Sequence, residues 1–99
     1  MAIQGSVSSG VPILTVVVTG ADAQVLAANN NRKGLIFNNA HATIDTVITP
    51  QPLTGTVTAT AVSGIRLPAG VTLQIDTVLC TCAWRAFSAG GNLTILEWQ

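Results

Sequence analysis

A hydrolytic site would need a nucleophile, a base and an acid, and this chain has a single histidine to act as the base. His41 is followed four positions later by Asp45, and hydroxyl side chains occur along the whole sequence. Because serine and threonine are so frequent, a Ser-His-Asp set can be drawn for almost any fold. The pattern therefore carries little information. We expect His41 to be an exposed loop residue and predict no catalytic residues.

Paired carboxylates or clustered metal ligands would be the other routes to chemistry. The acidic residues stand singly and far apart, so no two are marked as the carboxylate pair of a glycosidase. They are Asp22, Asp45, Asp76 and Glu97. Two cysteines and the histidine offer at most three metal ligands and lack the second ligand pair that makes a zinc signature specific. The sequence predicts neither a bound metal nor a cofactor.

Cys80 and Cys82 lie two positions apart on what we predict to be a strand. Their side chains would then share one face, with Cα atoms close to the ~7 Å limit for a disulfide. Such a bridge would be strained. We expect two free thiols that pack as small hydrophobic groups.

Charge is scarce, since only 8% of the residues are Asp, Glu, Lys or Arg and the formal net charge is zero. An average domain has roughly 25% charged residues. The chain has only four Lys and Arg residues, and Arg32-Lys33 is the one adjacent pair among them. Binding to nucleic-acid phosphates needs a stripe of basic residues, so the sequence excludes it. The pair either keeps a turn solvated or meets an acidic patch on a partner. A surface with so little charge is poorly defended against association, so a structural role in an assembly is expected.

The two tryptophans could stack on sugar rings, as in a carbohydrate-binding module, but sandwich cores and subunit interfaces also bury Trp. We favour core or interface for both Trp84 and Trp98. Trp98 stands one residue from the end of the chain and would be poorly held in an isolated monomer. We expect it to dock against a neighbouring subunit.

Every strong apolar pattern has period two, which predicts an all-β protein. Regularly spaced strands with turn residues between them predict an antiparallel β-sandwich of about eight short strands, with the jelly roll as one form. The β-branched run over residues 13–19 suits a central strand. The predicted strands cover residues 13–19, 23–28, 35–39, 43–49, 54–61, 71–79, 81–87 and 93–98.

The first twelve residues are predicted to be a flexible arm, and residues 13–99 a single sandwich domain. Glycines and serines give the arm flexibility, and spaced apolar residues give it contacts for a partner. The residues expected to bind partners are Ile3, Val7, Val11, Pro12, Arg32, Lys33 and Trp98. No signal peptide and no apolar run of membrane-spanning length are visible. We therefore expect assembly in a cytoplasm, without membrane contact.

The runs Leu26–Asn39 and Leu67–Gly70, with a Gly-Gly hairpin leading into the last apolar strand, resemble small β-sandwich virion proteins of tailed bacteriophages. These include capsid decoration or cement proteins and domains of head or tail fibres. The resemblance implies a non-enzymatic protein on the capsid surface that clamps neighbouring subunits of the major capsid protein. It also implies a homo-oligomer, for which we expect a trimer. A tail, baseplate or head-fibre accessory protein and a carbohydrate-binding module remain the alternatives.

Overall fold

The computed structural model describes residues 12–99, which form eight strands and one short helix. The strands are β1 (Ile13–Val18), β2 (Ala23–Leu26), β3 (Gly34–Asn39), β4 (Thr46–Pro50), β5 (Ile65–Leu67), β6 (Thr72–Ile75), β7 (Trp84–Ser88) and β8 (Asn92–Trp98). A single 3-10 turn, Val78–Thr81, lies between β6 and β7. Among the described residues, no helix is both long enough and apolar enough to cross a membrane.

The strands form two four-stranded sheets, and all the pairings are antiparallel. The first sheet has the order β1-β8-β3-β6 and the second has the order β2-β7-β4-β5. The chain changes sheet at every connection except β4–β5, which is the strand order of a jelly roll. The predicted antiparallel β-sandwich is thereby confirmed.

The core lies between the two sheets and is built from the alternate, inward-facing residues of the strands. Leu35 and Phe37 of β3 and Leu93 and Ile95 of β8 have no exposed surface. Trp84 of β7 faces them from the second sheet, with its ring centroid 4.9 Å from that of Phe37 and the ring planes tilted by 56°. Tilted aromatic pairs at this distance are favourable. The assignment of Trp84 to the core is confirmed, and a fully buried indole cannot act as a sugar-stacking platform.

The β1 run is not a central strand, so that prediction was wrong. β1 pairs with β8 on one side, and no strand within residues 12–99 pairs with its other side. Leu14, Val16 and Val18 are 65%, 66% and 80% exposed. An uninterrupted apolar run is typical of a strand covered on both faces. Here the same pattern belongs to an edge strand in which every residue except the half-buried Val17 is exposed.

The strand predicted for residues 54–61 is also absent. This part of the chain forms no ladder, and its pairing is limited to one bridge between Thr60 and Ser63. The fifth strand is instead Ile65–Leu67, which pairs with β4. Alternating threonines fit a strand locally, but a strand also needs a neighbour for its backbone hydrogen bonds. Residues 51–64 are instead the connection between β4 and β5.

The two cysteines are free, as predicted, but they do not lie on a strand. Cys80 is in the 3-10 turn and Cys82 caps its C-terminal end. Thr77 begins the turn, and its hydroxyl accepts a hydrogen bond from the Leu79 amide. The buried Cys80 thiol donates to the carbonyl oxygen of Arg32 at 3.3 Å. Cys80 is therefore a packing residue that also satisfies one backbone acceptor.

Candidate interaction surface

The outer face of the second sheet is covered by its own chain along β4. Val47 and Thr49 of β4 point away from the core, because the residues that alternate with them face inward, yet each is only 6% exposed. The connection formed by residues 51–64 lies over them. At Gly64, which has a φ of +128°, an added Cβ would come within 2.5 Å of Thr49 Oγ1 and 2.6 Å of Val47 Cγ1. Close contact and positive φ together require glycine there.

The outer face of the first sheet has no such cover from residues 12–99. In the strand register, Leu14 lies beside Leu96, and Leu96 lies beside Ile36, so three apolar side chains form one row across β1, β8 and β3. Val16 and Thr94 form the next row, with Asn38 on β3. We call the outward-facing residues of this sheet the open face. Its apolar part comprises Leu14, Val16, Val18, Ile36, Leu96 and Trp98.

The open face is also uncharged. Within the described part of the chain, the outward positions of β1, β8, β3 and β6 carry only apolar side chains, Gly, Thr, Asn and Gln. Contiguous apolar surface of this kind on a small protein marks interaction sites. Depletion of charge is the compositional signal of the centre of a protein interface. The open face is therefore the candidate site.

Most of the few charges are paired within the chain. Each of the three arginines forms an ion pair with a carboxylate: Arg32 with Glu97 at 2.9 Å, Arg66 with Asp45 at 3.3 Å and Arg85 with Asp22 at 2.6 Å. Among residues 12–99 only Lys33 and Asp76 belong to no ion pair. Paired charges produce a weak external field, so electrostatic repulsion between copies is small.

Arg32 does not keep a turn solvated, and that interpretation was wrong. The residue is 4% exposed, and its Nε donates to Glu97 Oε1 at 2.9 Å. Its remaining N–H groups donate to the carbonyl oxygens of Ala27, Cys80 and Cys82. The guanidinium thus ties together the end of β8, the β2–β3 connection and the 3-10 turn. Because the Arg32 side chain is buried and its hydrogen bonds are all within the chain, the guanidinium is not accessible to a partner.

The Asp22–Arg85 pair predicts how stability depends on pH. Hydrogen bonds from the Arg85 guanidinium, and a further one from the Ala59 amide, hold the pKa of Asp22 below its usual value of 3.8. A depressed carboxyl pKa stabilises the fold above the unfolded-state pKa, and this contribution is lost as the pH falls through the folded-state pKa. We expect Asp22→Asn to melt at a lower temperature than the native protein at neutral pH.

The difference between the two melting temperatures should shrink as the pH is lowered below 3.8, because protonation then removes the same charge from the native protein. Thermal melts followed by circular dichroism across this range measure it. A difference that is the same at neutral and acidic pH would show that the Asp22 charge does not contribute.

The residues considered for catalysis have structural partners. His41 is half-buried, and its Nδ1 accepts hydrogen bonds from the amides of Thr43 and Ile44, both at 3.1 Å. Asp45 pairs with Arg66 instead of with the imidazole. Over residues 12–99, no three His, Cys, Asp or Glu side chains come together in a way that could hold a metal ion.

Three of the residues predicted to bind partners lie at one end of the first sheet. The Lys33 amide donates to the Trp98 carbonyl oxygen at 2.7 Å, and Pro12 directly precedes β1, whose first residue pairs with Glu97. Trp98 is not poorly held, because it is in β8 and its indole lies against Gly34 of its own chain. Of the other predicted residues, Arg32 is buried, as described above. Ile3, Val7 and Val11 lie outside the described residues, as does almost all of the proposed arm.

The apolar rows of the open face were missed by the sequence reasoning. Leu96 and Ile36 alternate with buried residues, so period two already places them on an outer face. What the sequence does not contain is which strands are neighbours. The row from Leu14 through Leu96 to Ile36 joins the first, last and third strands, and these are far apart along the chain.

Neither a scan against protein-family models nor searches of curated proteins and of solved structures returned a match.

Proposed function

We propose that this chain is a non-catalytic structural protein of a tailed-phage virion that stabilises the capsid by binding neighbouring major capsid subunits. The observation that carries the proposal is the uncharged open face, with its apolar row across three strands. The resemblance of the turn sequences to small phage virion proteins supplies the class of partner. The open face supplies a surface on which such a partner can be bound.

A broad sheet face suits this role because it can cover a junction between two subunits. Burial of apolar surface contributes about 25 cal/mol per Å², so the apolar row and the exposed valines of β1 can drive binding without charge complementarity. A copy of this protein that spans the junction must be released from at least one of the two subunits before they can separate. Leu14, Val16 and Val18, the most exposed apolar residues of this face, gain most from being covered, since they lose most contact with water.

The test is binding to heads of the phage that encodes this chain, assembled without it. We expect purified protein to bind these heads saturably, with a constant number of copies per major capsid subunit. Leu96→Lys places a charge in the centre of the apolar row and should weaken binding by at least about tenfold. If Leu96→Lys fails to fold, Thr94→Lys in the neighbouring row makes the same change at a polar position.

Val62→Lys is the matched control, because Val62 is 94% exposed and lies on the connection that covers the second sheet. It should bind as the native protein does. Equal binding by all the variants would remove the open face from the proposal. Failure to bind heads, together with saturable binding to a glycan, would overturn the proposed function in favour of a carbohydrate-binding module.

A further inference from the structure

A β-sandwich has four sheet edges, and three of them are protected here. β5 is three residues long and includes Arg66, β2 has an irregular register between Gln24 and Leu26, and β6 has only four residues. Short strands, charges and bulges are the usual devices that prevent edge-to-edge pairing between proteins. These edges are poorly suited to adding another strand.

The edge formed by β1 has none of these devices. It is six residues long, its register with β8 is unbroken, and it contains neither a charge nor a proline. Val16 and Val18 are 66% and 80% exposed beside this edge. A long, regular, apolar edge strand is a template for pairing with another strand.

From this contrast we infer that the β1 edge pairs with the β1 edge of a second copy, antiparallel and about a two-fold axis at Val16. The axis lies perpendicular to the sheet, so residues that face outward in one copy face outward in the other. The two first sheets then form one continuous eight-stranded sheet. Their open faces join into one larger face.

The Val16 register is self-complementary on both sides of the sheet. Val16 lies opposite Val16 of the second copy, and Leu14 lies opposite Val18, so the outward pairs are all apolar. On the inner side Thr15 lies opposite Val17. Cross-strand pairs between β-branched and other apolar residues stabilise a sheet. No charged residue is brought opposite another, which is a condition for pairing two identical strands.

A second copy fits this edge better than a charged partner does. β1 offers backbone donors and acceptors and apolar side chains, but no ion-pairing group, and the formal net charge of the chain is zero. Pairing β1 with a different edge of the next copy would form an open chain or a ring. Such an arrangement would use one of the three protected edges. The two-fold arrangement uses the unprotected edge twice.

The test is a charge-pair experiment at the position on the axis. Sedimentation at micromolar concentrations should give the native protein twice the 10.1 kDa chain mass. Val16→Lys places two like charges opposite each other at the axis, and so does Val16→Glu. Each variant alone should therefore be a monomer. An equimolar mixture of the two should recover the dimer, since Lys then faces Glu.

Val62→Lys adds the same charge away from β1 and should remain a dimer. A native monomer, the trimer expected from the resemblance, or a Val16→Lys variant that still dimerises would overturn the inference. A native monomer that dimerises only after deletion of residues 2–10 would show that the chain covers its own edge, which also overturns it. Leu96→Lys should stay dimeric, because its side chain lies one strand away. Loss of head binding and loss of the dimer are thus separate results.

Discussion

Arg32→Met is expected to destabilise the protein by about 3–5 kcal/mol, because it leaves the Glu97 carboxylate buried without its partner. Glu97 is 8% exposed, so water cannot replace the guanidinium. The carbonyl oxygens of Ala27, Cys80 and Cys82 lose donors in the same step. For a domain of this size each kcal/mol corresponds to roughly 4–8 °C in melting temperature. Chemical denaturation with urea measures the loss directly.

The exposed pair Arg66–Asp45 provides the matched control. Its side chains are 61% and 44% exposed, and a surface ion pair contributes at most about 1 kcal/mol. Arg66→Met should therefore change the free energy of unfolding little. The double variant Arg32→Met/Glu97→Met should recover part of the loss, because no charge is then left buried. Equal effects of Arg32→Met and Arg66→Met would contradict the buried position of Arg32.

Trp84→Ala is expected to cost about 3–5 kcal/mol, the range for truncating a large buried aromatic residue. The indole has no exposed surface, packs against Phe37 and donates from Nε1 to the Leu79 carbonyl oxygen at 3.1 Å. The cavity lies between the two sheets, where strand backbones cannot close it fully. Urea denaturation, followed by the fluorescence of the remaining Trp98, measures the change.

Two further variants show how much of the loss comes from the ring of Trp84 and how much from its buried position. Trp84→Phe retains an aromatic ring but removes the Nε1 donor, so its cost should be smaller than that of Trp84→Ala. Trp98→Ala removes the half-buried indole at the end of β8 and should also cost less. A loss below about 1 kcal/mol for Trp84→Ala would place the indole outside the core, since that is the scale of surface substitutions.

The sequence by itself determined the class of fold and most of the strands. Period-two patterns in the sequence predicted β3, β6 and β8, because alternate residues of a strand face opposite sides of the sheet. Local turn chemistry then limited the strands to short lengths. The free state of Cys80 and Cys82 was predicted correctly, but the prediction assumed that both lie on a strand, whereas Cys80 is in a 3-10 turn and Cys82 caps it. The strand predicted from the alternating threonines of residues 54–61 was wrong. Alternation is a property of one segment and does not show whether another strand lies beside it to accept its hydrogen bonds.

Only the tertiary structure decided which strand lies at an edge and which face is open. β1 has the composition of a central strand, and its exposure results from the sheet order β1-β8-β3-β6. Arg32 follows an asparagine-rich turn, and its burial results from meeting Glu97, 65 residues later in the chain. Both features depend on contacts between distant segments. A local sequence pattern encodes backbone preference and polarity, whereas burial depends on which distant residues the fold brings alongside.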